Sequence, residues 1–110
     1  IKEASLTHEN EFQNINTKSS FHLYPIQIKY EVVGRSHKQL FHDMRALDIG
    51  VNLHYIPVHL QPYYGNMGFK EGDFPNAEKY YSRAMSIPIF NTMTYSQQDK
   101  VVDALQKVLK

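Results

Sequence analysis

The chain has 110 residues, 42% of them hydrophobic, with 12 basic against 11 acidic side chains, which fits one domain around one core and excludes the strong positive field that nucleic acid or an anionic membrane surface requires. It contains no cysteine, so disulfides, thiolate metal sites and cysteine nucleophiles are excluded and a reducing compartment is expected. No stretch approaches the roughly 20 apolar residues of a membrane span, and the opening Ile-Lys-Glu-Ala-Ser is no signal peptide; with no initiator Met, a processed chain or a piece of a longer one is expected.

Residues 1–20 are polar, with Leu6, Phe12 and Ile15 as isolated apolar points, and read as a linker or interdomain segment ahead of a domain spanning 21–110. From Phe21 the apolar positions alternate through His22, Tyr24, Ile26, Ile28, Tyr30 and Val32, the pattern of a strand with one buried face. Pro25 places that strand at an edge or a bulge. Val33-Gly34-Arg35 turns the chain, and Ser36-His37-Lys38-Gln39 has the form of a capping box opening a helix with Leu40, Phe41, Met44 and Leu47 inward. Gly50 is expected to supply its left-handed C-terminal residue. A second strand is expected over Val51–Val58, interrupted by Pro57, then a long loop over Gln61–Asp73. Next comes a helix opened by Pro75, with Ala77, Tyr80, Tyr81, Ala84 and Met85 on one face. Ile87-Pro88-Ile89-Phe90 reads as a short edge strand. Thr94-Tyr95-Ser96-Gln97 is a second capping box, opening a final helix with Val101, Val102, Leu105, Val108 and Leu109 as its apolar set. The fold class is therefore α+β: a small, largely antiparallel sheet covered on one face by about three helices.

The chemistry-bearing residues exclude more than they select. His54 and His59 are five apart across a proline, a spacing that suits no metal pair on a helix or strand, and no third ligand clusters with them, so no metal is expected. No Gly-x-Ser-x-Gly elbow or Gly-rich phosphate loop occurs, and Asp43, Asp48, Asp73 and Asp99 lie on separate elements. What stands out is His54-Tyr55-Ile56-Pro57-Val58-His59-Leu60-Gln61-Pro62-Tyr63-Tyr64, where imidazoles and phenols crowd a strand and its loop. Rigid polar aromatics of this kind suit either the wall of a pocket for a polyhydroxylated ligand or a surface packed against a partner.

The stretches Ser20-Phe21-His22-Leu23-Tyr24-Pro25-Ile26, Gly50-Val51 leading into His54-Tyr55-Ile56-Pro57-Val58-His59, Phe74-Pro75-Asn76-Ala77-Glu78, and Ser86-Ile87-Pro88-Ile89-Phe90 occur in that order. Together they resemble, over about Ser19 to Leu109, the C-terminal part of the DegT-type nucleotide-sugar aminotransferases, and within them the pseudaminic acid pathway enzymes. The resemblance implies the small domain of an aspartate-aminotransferase-type fold. It implies a parent enzyme that uses pyridoxal phosphate to move an amino group from glutamate to a UDP-linked 4-keto-6-deoxy sugar, in the cytoplasm and as a homodimer. The partners it implies are the large cofactor-binding domain of the same polypeptide, the UDP-sugar and glutamate, with no nucleic acid and no membrane.

No lysine here follows the family's Schiff-base pattern, so no catalytic or cofactor-binding residue is expected in this chain, which alone should be inactive. Carried over residue by residue, His59 matches the family position facing cofactor and substrate and is expected at the mouth of a site, hydrogen-bonded to a substrate or cofactor oxygen. His54, Tyr63 and Tyr64 are expected to line the nucleotide-sugar pocket, while His22 and Tyr55 fit structural roles equally well. The face that meets a large domain should carry a contiguous apolar patch. The alternative is a free-standing ligand-binding or interaction module.

Overall fold

The structure, a computed structural model, describes residues 20–110; the expected linker over 1–20 lies outside them but for Ser20. In chain order the elements are β1 (Tyr24–Gln27), the single turn α1 (Tyr30–Val33), α2 (His37–Ala46), a 3-10 turn (Val58–Leu60), the single turn α3 (Pro62–Gly65), α4 (Pro75–Arg83), β2 (Ala84–Ile87) and α5 (Tyr95–Val108). The expected α+β class is the one adopted, with β1 and β2 antiparallel.

The register pairs Tyr24 with Ile87, Pro25 with Ser86, Ile26 with Met85 and Gln27 with Ala84. Antiparallel pairs alternate between bonded and non-bonded. Ser86 gives its N–H and its carbonyl to Asn52 on the other side, at 2.8 and 3.1 Å, so Pro25 occupies a pair that asks for no ladder donor. Proline is therefore tolerated without a bulge. The ladder closes where the Ile28 amide donates to the Arg83 carbonyl at 3.0 Å.

Three expectations about the strands are corrected. The alternation from Phe21 to Val32 overruns the real strand, because after Ile28 the chain bends into α1 and ends it at Gly34 with φ 70°. Ile26 and Ile28 are buried as the parity requires, but Val32 is exposed. The second strand, expected over Val51–Val58, shrinks to the bridge at Asn52; Pro57 has no donor to extend a ladder. The strand expected at Ile87–Phe90 begins at Ala84 instead and lies between β1 and the Asn52 bridge, not at an edge.

Both capping boxes form: Ser36 accepts from the Gln39 amide while Gln39 returns to the Ser36 amide, and Thr94 and Gln97 do the same. Asp48, not Gly50, takes the left-handed position after α2, at φ 61°. The Asp48 amide donates to the Arg45 carbonyl and the Ile49 amide to the Met44 carbonyl, both at 3.0 Å, which is a Schellman closure with buried Ile49 and Met44 at its apolar contact positions. An Asp tolerates that backbone better than a branched side chain would.

The core joins Ile26 and Met85 of the sheet to Leu40 and Met44 of α2, Val51, and Val101, Leu105 and Val108 of α5. α4 stands apart. It ends at Arg83, so Ala84 and Met85 are buried from the strand and not from the helix, and no residue of α4 is buried. The seven- and eight-residue spacing of Ala84 and Met85 from Ala77 mimics a helix face, but pairing with β1 overrides it.

Two side chains on the rim of this core give testable consequences. The Tyr30 hydroxyl is a buried polar atom with no hydrogen-bond partner among the described residues, and burial pushes its pKa well above the usual phenol range. Tyr30→Phe is therefore expected to hold or raise stability, by up to about 1 kcal/mol, in urea titration. His37 donates its Nε2–H to the Ala84 carbonyl at 3.0 Å and stacks against Tyr30, tying the start of α2 to β2. Burial holds its pKa below 6.5, outweighing the upward pull of that hydrogen bond. A depressed histidine pKa favours the neutral folded form, so its contribution is full above about pH 6.5 and is lost as pH falls through the folded value. Thermal midpoints should decline as pH drops below about 6.5. His37→Gln, which can still donate to Ala84, should flatten that decline.

Candidate functional site

The aromatic stretch leaves the sheet at Asn52 and folds into a lobe of its own. Val58–Leu60 form the 3-10 turn, Pro62 opens the single turn α3 at its first position, and Gly68 and Gly72 take φ of 100° and 94° to bring the chain back to Pro75. Ring contacts run in series through this lobe. Tyr63 meets Tyr64 at 5.2 Å, Tyr64 meets Phe69 at 6.3 Å, Phe69 meets Phe74 at 6.1 Å and Phe74 meets His59 at 4.8 Å. Tyr63, Phe69 and Phe74 nevertheless remain exposed, at 71%, 40% and 48%. Tyr55, Val58 and Met67 are exposed beside them in sequence. The lobe thus presents apolar surface that the rest of the described chain leaves uncovered.

His59 is placed differently from expectation. It is 7% exposed, not open at a mouth, because Phe74 covers one side of its ring and Glu78 takes its Nε2–H at 2.8 Å. The Glu78 carboxylate also accepts from the Gly72 amide at 2.9 and 3.1 Å and from the Phe74 amide at 3.4 Å. The His59 hydrogen bond holds the Glu78 carboxyl below the usual carboxylate range; partial burial opposes this, and the two amides add to the lowering. One carboxylate therefore ties together the 3-10 turn, the end of the loop and the first turns of α4.

His54 is half-buried, with Nδ1 2.8 Å from the Ser86 hydroxyl in β2 and its ring beside Tyr55. Tyr64 is half-buried in the ring series, and His22 is exposed ahead of β1. The structure brings His59, Tyr63 and Tyr64 into one lobe and holds His54 against the sheet. Among the described residues no group of three or more His, Asp or Glu is placed to hold a metal ion. Glu78, Phe69 and Phe74 belong to the site although sequence spacing does not single them out. Glu78 and Phe74 do stand in the Phe-Pro-Asn-Ala-Glu stretch, but the partner of Glu78 lies 19 residues upstream.

Every described lysine is exposed. A pyridoxal cofactor needs an amine whose pKa is lowered by a built pocket and a cradle for its phosphate. The described residues do not fit that group.

The DegT/DnrJ/EryC1/StrS aminotransferase family model matches residues 1–106. Among curated relatives, an uncharacterized protein of Methanocaldococcus jannaschii, MJ1066, is 33% identical over 98% of this chain and 31% of its own length. The spore coat polysaccharide biosynthesis protein SpsC of Bacillus subtilis is 34% identical over 90% of this chain and 26% of its own. Among solved structures, Helicobacter pylori PseC, an aminotransferase of pseudaminic acid biosynthesis, aligns at a TM-score of 0.75 with 22% identity over 86% of this chain and 25% of its own. The PLP form of the sugar aminotransferase Spr1654 of Streptococcus pneumoniae aligns at 0.77 with 22% identity, over 88% of this chain and 24% of its own. These last two likenesses concern the fold. The chain spans between about a fifth and a third of the length of these curated relatives.

Proposed function

The chain belongs to the DegT/DnrJ/EryC1/StrS aminotransferase family, and from that premise we propose that it is the small, C-terminal domain of a pyridoxal-phosphate-dependent enzyme that transfers an amino group from glutamate to a UDP-linked 4-keto-6-deoxy sugar for a cell-surface or flagellin glycan. Residues 21–110 are the domain and 1–20 the segment joining it to a large domain. That large domain holds the cofactor, and the enzyme works as a cytoplasmic homodimer. The observation that carries the reading is the lobe between Tyr55 and Glu78. It gathers imidazole, phenol and phenyl rings into one ordered series, yet leaves Tyr63, Phe69 and Phe74 uncovered, which is the property of a wall that a second domain completes. On this reading His59, His54, Tyr63 and Tyr64 are substrate-side residues. Among the described residues no helix is long and apolar enough to cross a membrane.

The test is transamination by the full-length protein. With pyridoxal phosphate, glutamate and a UDP-4-keto-6-deoxy sugar, mass spectrometry should show the keto group replaced by an amine. The 110-residue chain alone should show none, and borohydride reduction in the presence of pyridoxal phosphate should label no single lysine stoichiometrically. A full-length protein that fails on every nucleotide keto-sugar overturns the reading, as does one stoichiometrically labelled lysine in this chain.

A further inference from the structure

His59 reaches only one partner through Nε2, and that partner is a carboxylate, which accepts and cannot donate. At 2.8 Å the ring proton must therefore sit on Nε2. A neutral imidazole has one N–H, so the lone pair is left on Nδ1, which makes no hydrogen bond among the described residues. The ring cannot readily turn to exchange the two nitrogens. Phe74 lies against it with centroids 4.8 Å apart and planes inclined at 55°. The carboxylate itself is held by the Gly72 and Phe74 amides, which donate to the same Oε1 that accepts from His59. Gly72 presents its amide from φ 94°, a conformation that a side chain would strain.

We infer that Glu78 is a positioning residue for His59: by taking Nε2–H it leaves Nδ1 as the ring nitrogen with an unshared lone pair, an acceptor matched to a hydroxyl or ammonium group and not to a phosphate or carboxylate oxygen. The ligand half of this inference rests on the proposed role of His59 at the substrate; the Glu78 half rests on the geometry alone. A sugar hydroxyl or the amino group being transferred has the required donor. The phosphates of a nucleotide-sugar do not, and would need a ring protonated on both nitrogens.

Two measurements separate the halves. In nitrogen–proton NMR of the 110-residue chain at neutral pH, His59 should carry a slowly exchanging proton on Nε2. That proton should be lost in Glu78→Ala and moved upfield in Glu78→Gln, whose neutral carbonyl is a weaker acceptor. A proton on Nδ1 in the unaltered chain, or an Nε2 proton unmoved in Glu78→Gln, overturns the positioning role, even where Glu78→Ala does not fold. In the full-length enzyme, His59→Gln keeps an N–H for Glu78 but moves the remaining acceptor away from the Nδ1 position, to the amide oxygen. It should lower kcat/KM for the keto-sugar a fewfold to about tenfold, with inhibition by inorganic phosphate unchanged. Weakened phosphate inhibition, or an unchanged kcat/KM, overturns the ligand half. A full-length protein with no transaminase activity overturns the proposed function, and the NMR result still decides the role of Glu78.

Discussion

Leu40→Ala should destabilise the domain by about 2–5 kcal/mol, a large part of the 5–15 kcal/mol that holds an ordinary domain together. Leu40 is fully buried at 0% exposure in α2, and so are Met44, Met85 and Val51 of the same cluster. Its removal opens a cavity where α2 and α5 meet the sheet, and the two capping boxes that fix the helix starts limit how far either helix can move to fill it. Urea titration should show a lower midpoint with an unchanged slope. Leu40→Met, which conserves volume, should cost less than about 1.5 kcal/mol. Val102→Ala, on the exposed side of α5 at 49%, should change stability by no more than about 0.5 kcal/mol. A cost for Leu40→Ala as small as that of Val102→Ala would remove α2 from the core.

On the proposed function, His59→Ala in the full-length protein should slow single-turnover conversion of the keto-sugar by the aminated cofactor form between a fewfold and about a hundredfold. The upper end applies because the change removes more than one contact. Glu78 loses its side-chain partner and Phe74 loses the ring it covers, so the whole lobe from the 3-10 turn to α4 loosens. The core cluster does not include His59, so the thermal midpoint should fall far less than in Leu40→Ala. An unchanged rate would take His59 out of the site. A fall in midpoint matching that of Leu40→Ala would make it a packing residue. Acid adds an independent check. Because the Glu78 carboxyl titrates below its ordinary value, its hold on the lobe is complete above about pH 4.5 and is lost as pH falls through the lower folded value. Protection of the Gly72 amide from exchange should follow the same course.

The local signals were legible where a few neighbouring residues decide the outcome. Ser36 with Gln39, Thr94 with Gln97, and Pro75 at a helix start are choices settled within one turn, and each appears where the sequence places it. The strands are less legible because their limits are set by partners far along the chain. Ala84 and Met85 fit a helical period as well as a strand, and the bond from Ile28 to Arg83 decides between them. Gly50 was the natural residue for a left-handed cap, but the closure falls two residues earlier, at Asp48, where the carbonyls of Met44 and Arg45 have their donors. In the candidate site the crowding of His54, His59, Tyr63 and Tyr64 was visible as composition. What orders them was not: Phe74 and Glu78 act on His59 from 15 and 19 positions away, and no period links them. Burial of His59 follows from those two contacts, neither of which is visible from its place two residues after Pro57.

The pairing of Pro25 opposite Ser86 also bears on how the protein behaves at high concentration. Because the ladder alternates, the backbone groups of Pro25 point away from β2, and one of them is a nitrogen without hydrogen. The opposite side of β2 is already occupied, Ser86 by Asn52 and the Ala84 carbonyl by His37. The far side of β2 is thus paired and the outer edge of β1 is broken at a nitrogen without hydrogen, so the sheet offers no unbroken run of donors on which a foreign strand could grow into a fibril. Aggregation of the isolated domain should accordingly be amorphous and driven by the uncovered rings of the lobe, giving precipitates that redissolve on dilution and do not bind thioflavin T.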